Sequence, residues 1–140
     1  MRQILLFAAL VASLALLSGC ALSKAKADTA EDMSDKAAYH KLSAEEAYEM
    51  MASQEVVVVD VRTREEYDGG HIENAVLVPN ESIGSETPEA LPDKEATLLV
   101  YCRSGRRSKD AAQKLLALGY QSVYDFGGVI DWPYELVKEE

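Results

Sequence analysis

The sequence of 140 residues predicts an α/β fold, with an open, mostly parallel sheet flanked by helices on both faces. Two apolar runs rich in strand-forming residues, at positions 56–61 and 97–101, are typical of strands buried on both faces of a parallel sheet. Each run is followed by a segment that carries the signals of a helix start. Strands that alternate with helices in this way favour one layered α/β domain.

The first part of the chain is predicted to be a targeting segment. Residues 1–19 combine the basic Arg2, an apolar run over positions 4–17 and small residues before Cys20, which is the pattern of a secretory signal. The sequence Leu-Ser-Gly-Cys resembles the lipobox of bacterial lipoproteins. This resemblance implies that Cys20 is lipidated and becomes the first residue of the mature chain. The alternative is an ordinary secretory signal in which the cysteine has no role.

Residues 20–38 lack aromatic side chains and show little periodicity, so we expect a lipidated N-terminus and a flexible tether there. The folded domain is predicted over residues 39–140. Acyl chains on the tether would hold this domain at a membrane. We therefore predict a protein that is exported and lipid-anchored to a bacterial membrane, on the periplasmic face or at the outer cell surface.

Two capping boxes mark helices near the start of the domain. Ser43 and Glu46 begin a predicted helix that runs to about Ala52. Thr63 and Glu66 begin a second, shorter helix that a pair of glycines ends. The first apolar run lies between these two helices, as expected for a strand in an α/β sheet.

Weaker signals predict the remaining elements. Residues 80–93 contain two prolines and a glycine, which predict a loop with a turn or two of helix. Beyond position 110, apolar residues recur at helical spacing as far as Gly119, a residue type that commonly follows the last turn of a helix. Residues 123–125 predict a further short strand.

The stretch from Cys102 to Arg107 carries the predicted chemistry. It lies between the second strand and the following helix, where a thiol faces free backbone N–H groups and the positive end of the helix dipole. These groups favour the thiolate, so we expect a pKa below the usual thiol value of about 8.5 and a nucleophilic cysteine. Gly105 permits a positive φ, which lets successive amides point into one bowl suited to a small anion.

Cysteine count and charge narrow the function further. If Cys20 is lipidated, Cys102 has no intramolecular partner in a compartment where cysteines normally form disulfides. A lone thiol is a liability there unless its reactivity is used, which favours catalysis. The net charge of -10 makes nucleic acid a poor partner, whereas the arginines of the Cys102 loop would attract small anions locally.

Separate signatures along residues 42–132 resemble those of rhodanese domains, the sulfurtransferases that carry sulfane sulfur as a cysteine persulfide. Residues 60–79 read D-V-R-T-R-E-E-Y-D-G-G-H-I-E-N-A-V-L-V-P, which follows the N-terminal signature of the family except at Asn74, where glycine is usual. The Cys102 loop reads C-x4-R, the rhodanese length, whereas related cysteine phosphatases use C-x5-R. Residues 127–132 read G-G-V-I-D-W and resemble the C-terminal signature.

The resemblance implies a role for each residue of the loop. Cys102 would be the catalytic nucleophile. The residues that would bind the substrate are Arg103, Ser104, Gly105, Arg106 and Arg107. Arg103 and Arg107 are the candidates for holding the donor anion; Arg107 would also brace the loop, and Arg106 would face solvent.

Other signature residues are expected to support the structure. Asp60 and Arg62 are interpreted as an ion pair or as the source of hydrogen bonds that fix a loop. His71 is expected to orient a turn, with a Cys-His dyad as the alternative. Trp132 supports the fold through core packing.

The implied activity moves sulfane sulfur from a small anionic donor such as thiosulfate to a thiol, to cyanide or to an acceptor protein. It requires no cofactor and no metal, and a monomeric domain suffices. One alternative is a persulfide carrier or regulatory module without turnover. Another is a cysteine-dependent phosphatase or arsenate reductase, which would need the longer loop and usually an acid to protonate the leaving group.

Overall fold

A five-stranded sheet forms the centre of the computed structural model, which describes residues 39–138. All paired strands are parallel, in the order β1-β5-β4-β2-β3. The strands are β1 His40–Lys41, β2 Val57–Asp60, β3 Val76–Leu77, β4 Thr97–Cys102 and β5 Ser122–Gly128. The predicted signal peptide, the lipidated Cys20 and the tether lie outside the described residues.

Three α-helices connect the strands: α1 Ala44–Ser53, α2 Arg64–Asp68 and α3 Arg106–Ala117. Both predicted capping boxes are present. The Ser43 hydroxyl accepts from the amide of Glu46 at 3.1 Å, and the Glu46 carboxylate accepts from the amide of Ser43 at 2.8 Å. Thr63 and Glu66 form the same reciprocal pair at the start of α2. Short 3₁₀ turns follow β3 and β5, at Asn80–Ser82 and Val129–Asp131.

The sheet has a hydrophobic core on each face, as the sequence predicts. Alternate side chains of β4 point to opposite faces, so Leu98, Val100 and Cys102 lie in the core that α3 covers. Leu99 and Tyr101 lie in the opposite core, which α1 and α2 cover. Cys102 therefore shares a face with the helix whose first turn follows it.

The structure differs from the sequence-based expectation at the sheet edges. β1 and β3 are additional strands of two residues each, too short for a pattern of alternating side chains. β5 extends well beyond the predicted residues 123–125, since its glycines continue the strand. Asn74 adopts a left-handed conformation with φ of 61°, which glycine favours and asparagine tolerates, so the departure from the family signature changes little at this position.

The parallel sheet collects polar groups at the carboxyl ends of three neighbouring strands. Asp60 ends β2, Cys102 ends β4, and Asp125 lies in β5 beside them. This edge is where ligands bind in open α/β sheets. Between residues 39 and 138, no helix has the length and apolar character needed to cross a membrane.

Candidate active site

Cys102 lies at the end of β4, directly before a three-residue loop and the first turn of α3. Gly105 has φ of 96°, a conformation that favours glycine, and it is the residue that precedes the helix. Its backbone N–H donates a hydrogen bond to Cys102 Sγ at 3.0 Å. The loop therefore aims a main-chain donor at the sulfur, in agreement with the bowl expected from the sequence.

The surroundings of Cys102 stabilise its charged form. Burial raises the pKa of the thiol, and Cys102 is only 1% exposed. Hydrogen bonds from the backbone and side chain of Ser108, and from the amides of Gly105 and Ser104, outweigh burial and lower the pKa below its ordinary value. These hydrogen bonds therefore favour the thiolate form of the buried sulfur over the thiol.

Two glycines of β5 form the floor under the loop. Gly128 pairs with Cys102 across the sheet, and a Cβ atom there would collide with the backbone of Arg103 and Ser104. A Cβ atom on Gly105 would lie 3.5 Å from the Cα of Gly127, so loop and strand are in close contact. Gly128 is needed because the loop lies directly on the strand, whereas Gly127 has φ of 91°, a conformation that favours glycine.

The arginines of the loop divide into two groups. Arg103 and Arg106 are exposed, as is Ser104. Arg107 instead forms a bidentate ion pair with Glu66 of α2, with both N–O distances at 2.8 Å. Arg107 thus links α3 to α2, which fits the bracing role expected of it, while Arg103 and Arg106 remain available to an anion from solvent.

Asp60 and Arg62 form an ion pair beside the loop. Arg62 Nη2 donates to an oxygen of Asp60 at 2.6 Å and to the carbonyl of Gly70 at 2.8 Å. The hydroxyl of Tyr101 donates to the same Asp60 oxygen at 2.6 Å. Because both charged groups are buried and fully engaged with each other, they support the end of β2 and do not contact the sulfur.

His71 lies against α2 and the C-terminal segment. Its backbone pairs with Val137 in a single antiparallel bridge. Its ring stacks on Tyr67 at a centroid distance of 3.7 Å, and Nδ1 lies 3.0 Å from the Tyr67 carbonyl, to which only a protonated nitrogen can donate. These contacts orient a turn, as expected from the sequence.

The sequence analysis missed two polar residues of this region, Ser108 and Asp125. It also missed that Glu66 is the partner of Arg107. Ser108 and Asp125 are fully buried, and their side chains are joined by a hydrogen bond of 2.7 Å. The available signal for Asp125 was its place as the one acidic residue in the apolar run before the glycine pair. The pairing of Glu66 with Arg107 spans 41 positions and leaves no local pattern.

A shallow cleft of about 360 Å³ opens beside Arg103. Its lining includes Arg62, Glu66, Gly70, Arg103, Ile130 and Leu136. Ile130 is 64% exposed, and its amide donates to the carbonyl of Arg103 at 3.2 Å. An apolar side chain is therefore fixed at the rim of the loop. Among residues 39–138, no three His, Cys, Asp or Glu side chains are grouped so that they could hold a metal ion.

Known proteins share both the sequence and the fold of this chain. Residues 43–133 match the family model of the rhodanese-like domain. The tRNA uridine(34) hydroxylase of Yersinia pestis (strain Pestoides F) is 34% identical over 98 residues, which cover 66% of this chain and 28% of that protein. The chain thus spans less than a third of the length of this curated relative.

Two solved structures resemble the domain along nearly their whole length. An E. coli rhodanese with anions is 34% identical, with a TM-score of 0.55 over 61% of this chain and 100% of that chain. The human single-domain sulfurtransferase TSTD1 is 26% identical, with a TM-score of 0.59 over 66% of this chain and 93% of that chain. With a parallel sheet, a cysteine loop backed by two glycines and a family match across most of the folded residues, the chain belongs to the rhodanese-like domain family.

Proposed function

We propose that this protein is a sulfurtransferase that accepts sulfane sulfur from a small anionic donor such as thiosulfate onto Cys102 and passes it to a thiophilic acceptor. The observation that carries the proposal is the hydrogen bond of 3.0 Å from the Gly105 amide to Cys102 Sγ, in a loop whose hydrogen bonds lower the pKa of the thiol. Donors in this arrangement stabilise a thiolate and, after reaction, a persulfide anion.

The first half-reaction is a displacement at sulfur. The Cys102 thiolate attacks the outer sulfur of thiosulfate, and a new S–S bond forms on the enzyme. The S–S bond of thiosulfate breaks, and its electron pair leaves with sulfite. This step resembles thiol–disulfide exchange, and no proton has to be moved by a general base. The product is a cysteine persulfide with a negative terminal sulfur.

The second half-reaction restores the enzyme. A nucleophilic acceptor attacks the terminal sulfur, and the persulfide S–S bond breaks with its electron pair returning to Cys102. Cyanide would leave as thiocyanate, and a thiolate would leave as its own persulfide. The exposed Arg103 and Arg106 can attract anionic donors, and the cleft beside Arg103 gives an acceptor a place to approach the loop.

The length of the loop supports sulfur chemistry over phosphoryl or arsenate chemistry. The sequence C-x4-R is one residue shorter than the loop of related cysteine phosphatases. The carboxylates near the loop already have partners, since Glu66 is paired with Arg107, Asp60 with Arg62 and Asp125 with Lys41. A paired carboxylate is a poor general acid for a leaving alcohol.

The test is the mass of the intact protein after incubation with thiosulfate. We expect the mass to increase by one sulfur atom on Cys102, and we expect Cys102→Ser to prevent the increase. Release of thiocyanate on addition of cyanide would establish turnover, whereas a stable persulfide that only a protein acceptor discharges would indicate a carrier. Failure of every sulfane donor to modify Cys102, with hydrolysis of a phosphate ester instead, would overturn the proposal.

We also propose that the protein is exported and anchored by a lipid on Cys20, with the domain acting as a monomer at the membrane surface. The support is the signal-peptide pattern and the cysteine that follows Leu-Ser-Gly.

A further inference from the structure

Asp125 is the centre of a buried hydrogen-bond cluster behind the cysteine loop. This carboxylate is fully buried and accepts from four donors. The donors are the Ser108 hydroxyl at 2.7 Å, the Gly127 amide at 2.8 Å, the Tyr39 hydroxyl at 2.6 Å and the Lys41 ammonium at 3.2 Å. Two of the four donors come from β1 or the residue before it, which the family match does not include.

Ser108 connects this cluster to the nucleophile. It lies in the first turn of α3, and its hydroxyl is 3.1 Å from the carbonyl oxygen of Gly105, the residue whose amide donates to Cys102 Sγ. Hydrogen bonding by Ser108 also lowers the pKa of Cys102. A hydroxyl group carries one proton, so a proton given to the Asp125 carboxylate is not given to the sulfur. The Asp125 charge therefore acts on Cys102 across one shared side chain.

Lys41 supplies the countercharge to Asp125. Its ammonium group lies at the rim of the loop, 3.9 Å from the Cβ position built on Gly105 and 3.4 Å from that built on Gly127. The side chain is 55% exposed, whereas the Asp125 side chain is 0% exposed. Burial and the hydrogen bond to Asp125 raise the pKa of Tyr39 well above its ordinary value, so the phenol stays protonated as a donor and adds no charge.

We propose that Lys41 and Asp125 are positioning residues whose ion pair controls the charge state of Cys102 through Ser108. This inference rests on the proposed function, because it assigns a role in the reactivity of the same sulfur. Without Lys41, an uncompensated carboxylate would remain behind the thiolate and oppose it. Without the Asp125 charge, an unpaired ammonium group would remain at the loop and favour the thiolate.

Charged groups from the other elements around the loop are paired or point outward. Arg107 of α3 is paired with Glu66 of α2, Arg62 is paired with Asp60 at the end of β2, and Arg103 and Arg106 are exposed. Arg107 also interacts electrostatically with Cys102. None of these pairs includes a residue of β1 or β5, so the same pairs are present in every variant of Lys41 or Asp125. A shift caused by Lys41 or Asp125 can therefore be assigned to their own pair.

The test measures the rate at which iodoacetamide, a small reagent, alkylates Cys102 in the full-length chain as a function of pH. Mass spectrometry of the Cys102 peptide separates this reaction from any at Cys20. We expect Lys41→Gln to raise the midpoint of the profile by about half a pH unit and Asp125→Asn to lower it by a similar amount, as estimated for a charge several ångströms away in a partly screened site. The double variant should return toward the wild-type midpoint.

Controls separate this effect from loss of structure and from change of net charge. Lys41→Arg keeps the charge and should retain the wild-type midpoint. Lys138→Gln removes an exposed lysine at the other end of the described chain and should leave the midpoint unchanged. Partial unfolding would instead move the midpoints of both single variants in the same direction, toward the pKa of an ordinary thiol.

Shifts in the same direction, or no shift in either folded variant, would overturn the inference. If Asp125→Asn fails to fold, the inference is decided by the midpoint of Lys41→Gln, compared with the midpoints of Lys41→Arg and Lys138→Gln. This comparison remains possible because the exposed Lys41 can be replaced without opening the core. Alkylation does not involve sulfur transfer. A chain that shows the expected shifts but forms no persulfide would refute the proposed function and leave this inference standing.

Discussion

Two buried carboxylates flank the nucleophile on neighbouring strands. Asp60 lies at the end of β2 and Asp125 in β5, with β4 and Cys102 between them. Each is satisfied by several donors, as a buried charge must be. Asp60 accepts hydrogen bonds from Arg62 and Tyr101, whereas Asp125 accepts one from Ser108 in the first turn of α3. The hydrogen bonds of Asp60 therefore join β2 to β4, whereas those of Asp125 join β5 to the first turn of α3, next to the cysteine loop.

Tyr101→Phe tests the supporting role of the Asp60 cluster. The Tyr101 hydroxyl donates to Asp60 at 2.6 Å and accepts from the amide of Ile72 at 3.1 Å. Its removal leaves the Ile72 amide without this acceptor and leaves the Asp60 carboxylate with one donor fewer, beside those of Arg62. We expect the free energy of unfolding in urea to fall by about 1–3 kcal/mol. Tyr48→Phe, at an exposed position, is the control, and unchanged stability of Tyr101→Phe would contradict the role.

The strand, loop and helix start around Cys102 could be predicted from the sequence, but the hydrogen-bond and ion-pair partners of the buried residues nearby could not. Cys102 and Gly105 stand in a short segment whose order alone indicates a strand, a tight loop and a helix start. Lys41 and Asp125 are 84 positions apart, and only the pairing of β1 with β5 brings them together. Local patterns carry no information about which distant donor reaches a buried carboxylate.

At the scale of elements, the Glu66–Arg107 ion pair joins α2 to α3. The hydrogen bond from Arg107 lowers the pKa of Glu66 to about 2, against the opposing effect of burial and with help from the Thr63 amide. The folded state thus holds this proton more weakly than the unfolded chain does. The stabilisation is present above the unfolded value near 4.5 and is lost as the pH falls toward 2.

Glu66→Gln should therefore remove part of the dependence of stability on pH. We expect the variant to be less stable than the wild type at pH 7, and the difference in the free energy of unfolding to shrink steadily between about pH 4.5 and pH 2. Denaturant unfolding across this range measures the effect. Glu65→Gln, an exposed change in the same helix, is the control; a difference that is independent of pH would refute the linkage.

The elements with strong local signals could be predicted, and the shortest ones could not. The two capping boxes determine where α1 and α2 begin, and the apolar runs determine β2 and β4, because each signal lies within a few residues. β1 and β3 have two residues each and exist because neighbouring strands offer free hydrogen-bonding groups. Their stability is tertiary in origin, so sequence pattern alone does not indicate them.

At the scale of the whole molecule, the cysteine loop is positively charged although the chain as a whole is negatively charged. The net charge is -10, whereas the exposed side chains of the loop include Arg103 and Arg106. The two arginines attract a small anion to the loop, whereas the net negative charge of the chain opposes the approach of larger anionic partners. This distribution suits a donor of the size of thiosulfate.

Cys20→Ser tests the proposed anchoring of the whole chain. In bacterial cells grown with an alkyne-labelled fatty acid, we expect the label to be incorporated into the wild-type protein and into Cys102→Ser, but not into Cys20→Ser. The reason is that the proposed lipid is attached to Cys20, which follows Leu-Ser-Gly, and not to Cys102. Label on Cys20→Ser, or a wild-type protein without label, would contradict the proposal.

Both ends of the fold extend past the stretch that the family model matches. That match covers residues 43–133, yet β1 pairs with β5 before it and Val137 pairs with His71 after it. A recombinant fragment trimmed to the match would leave one side of β5 unpaired, and an uncovered strand of that kind invites self-association. The same trimming would remove Lys41, the ion-pair partner of Asp125, so such a fragment could not be used to test the role proposed for that pair.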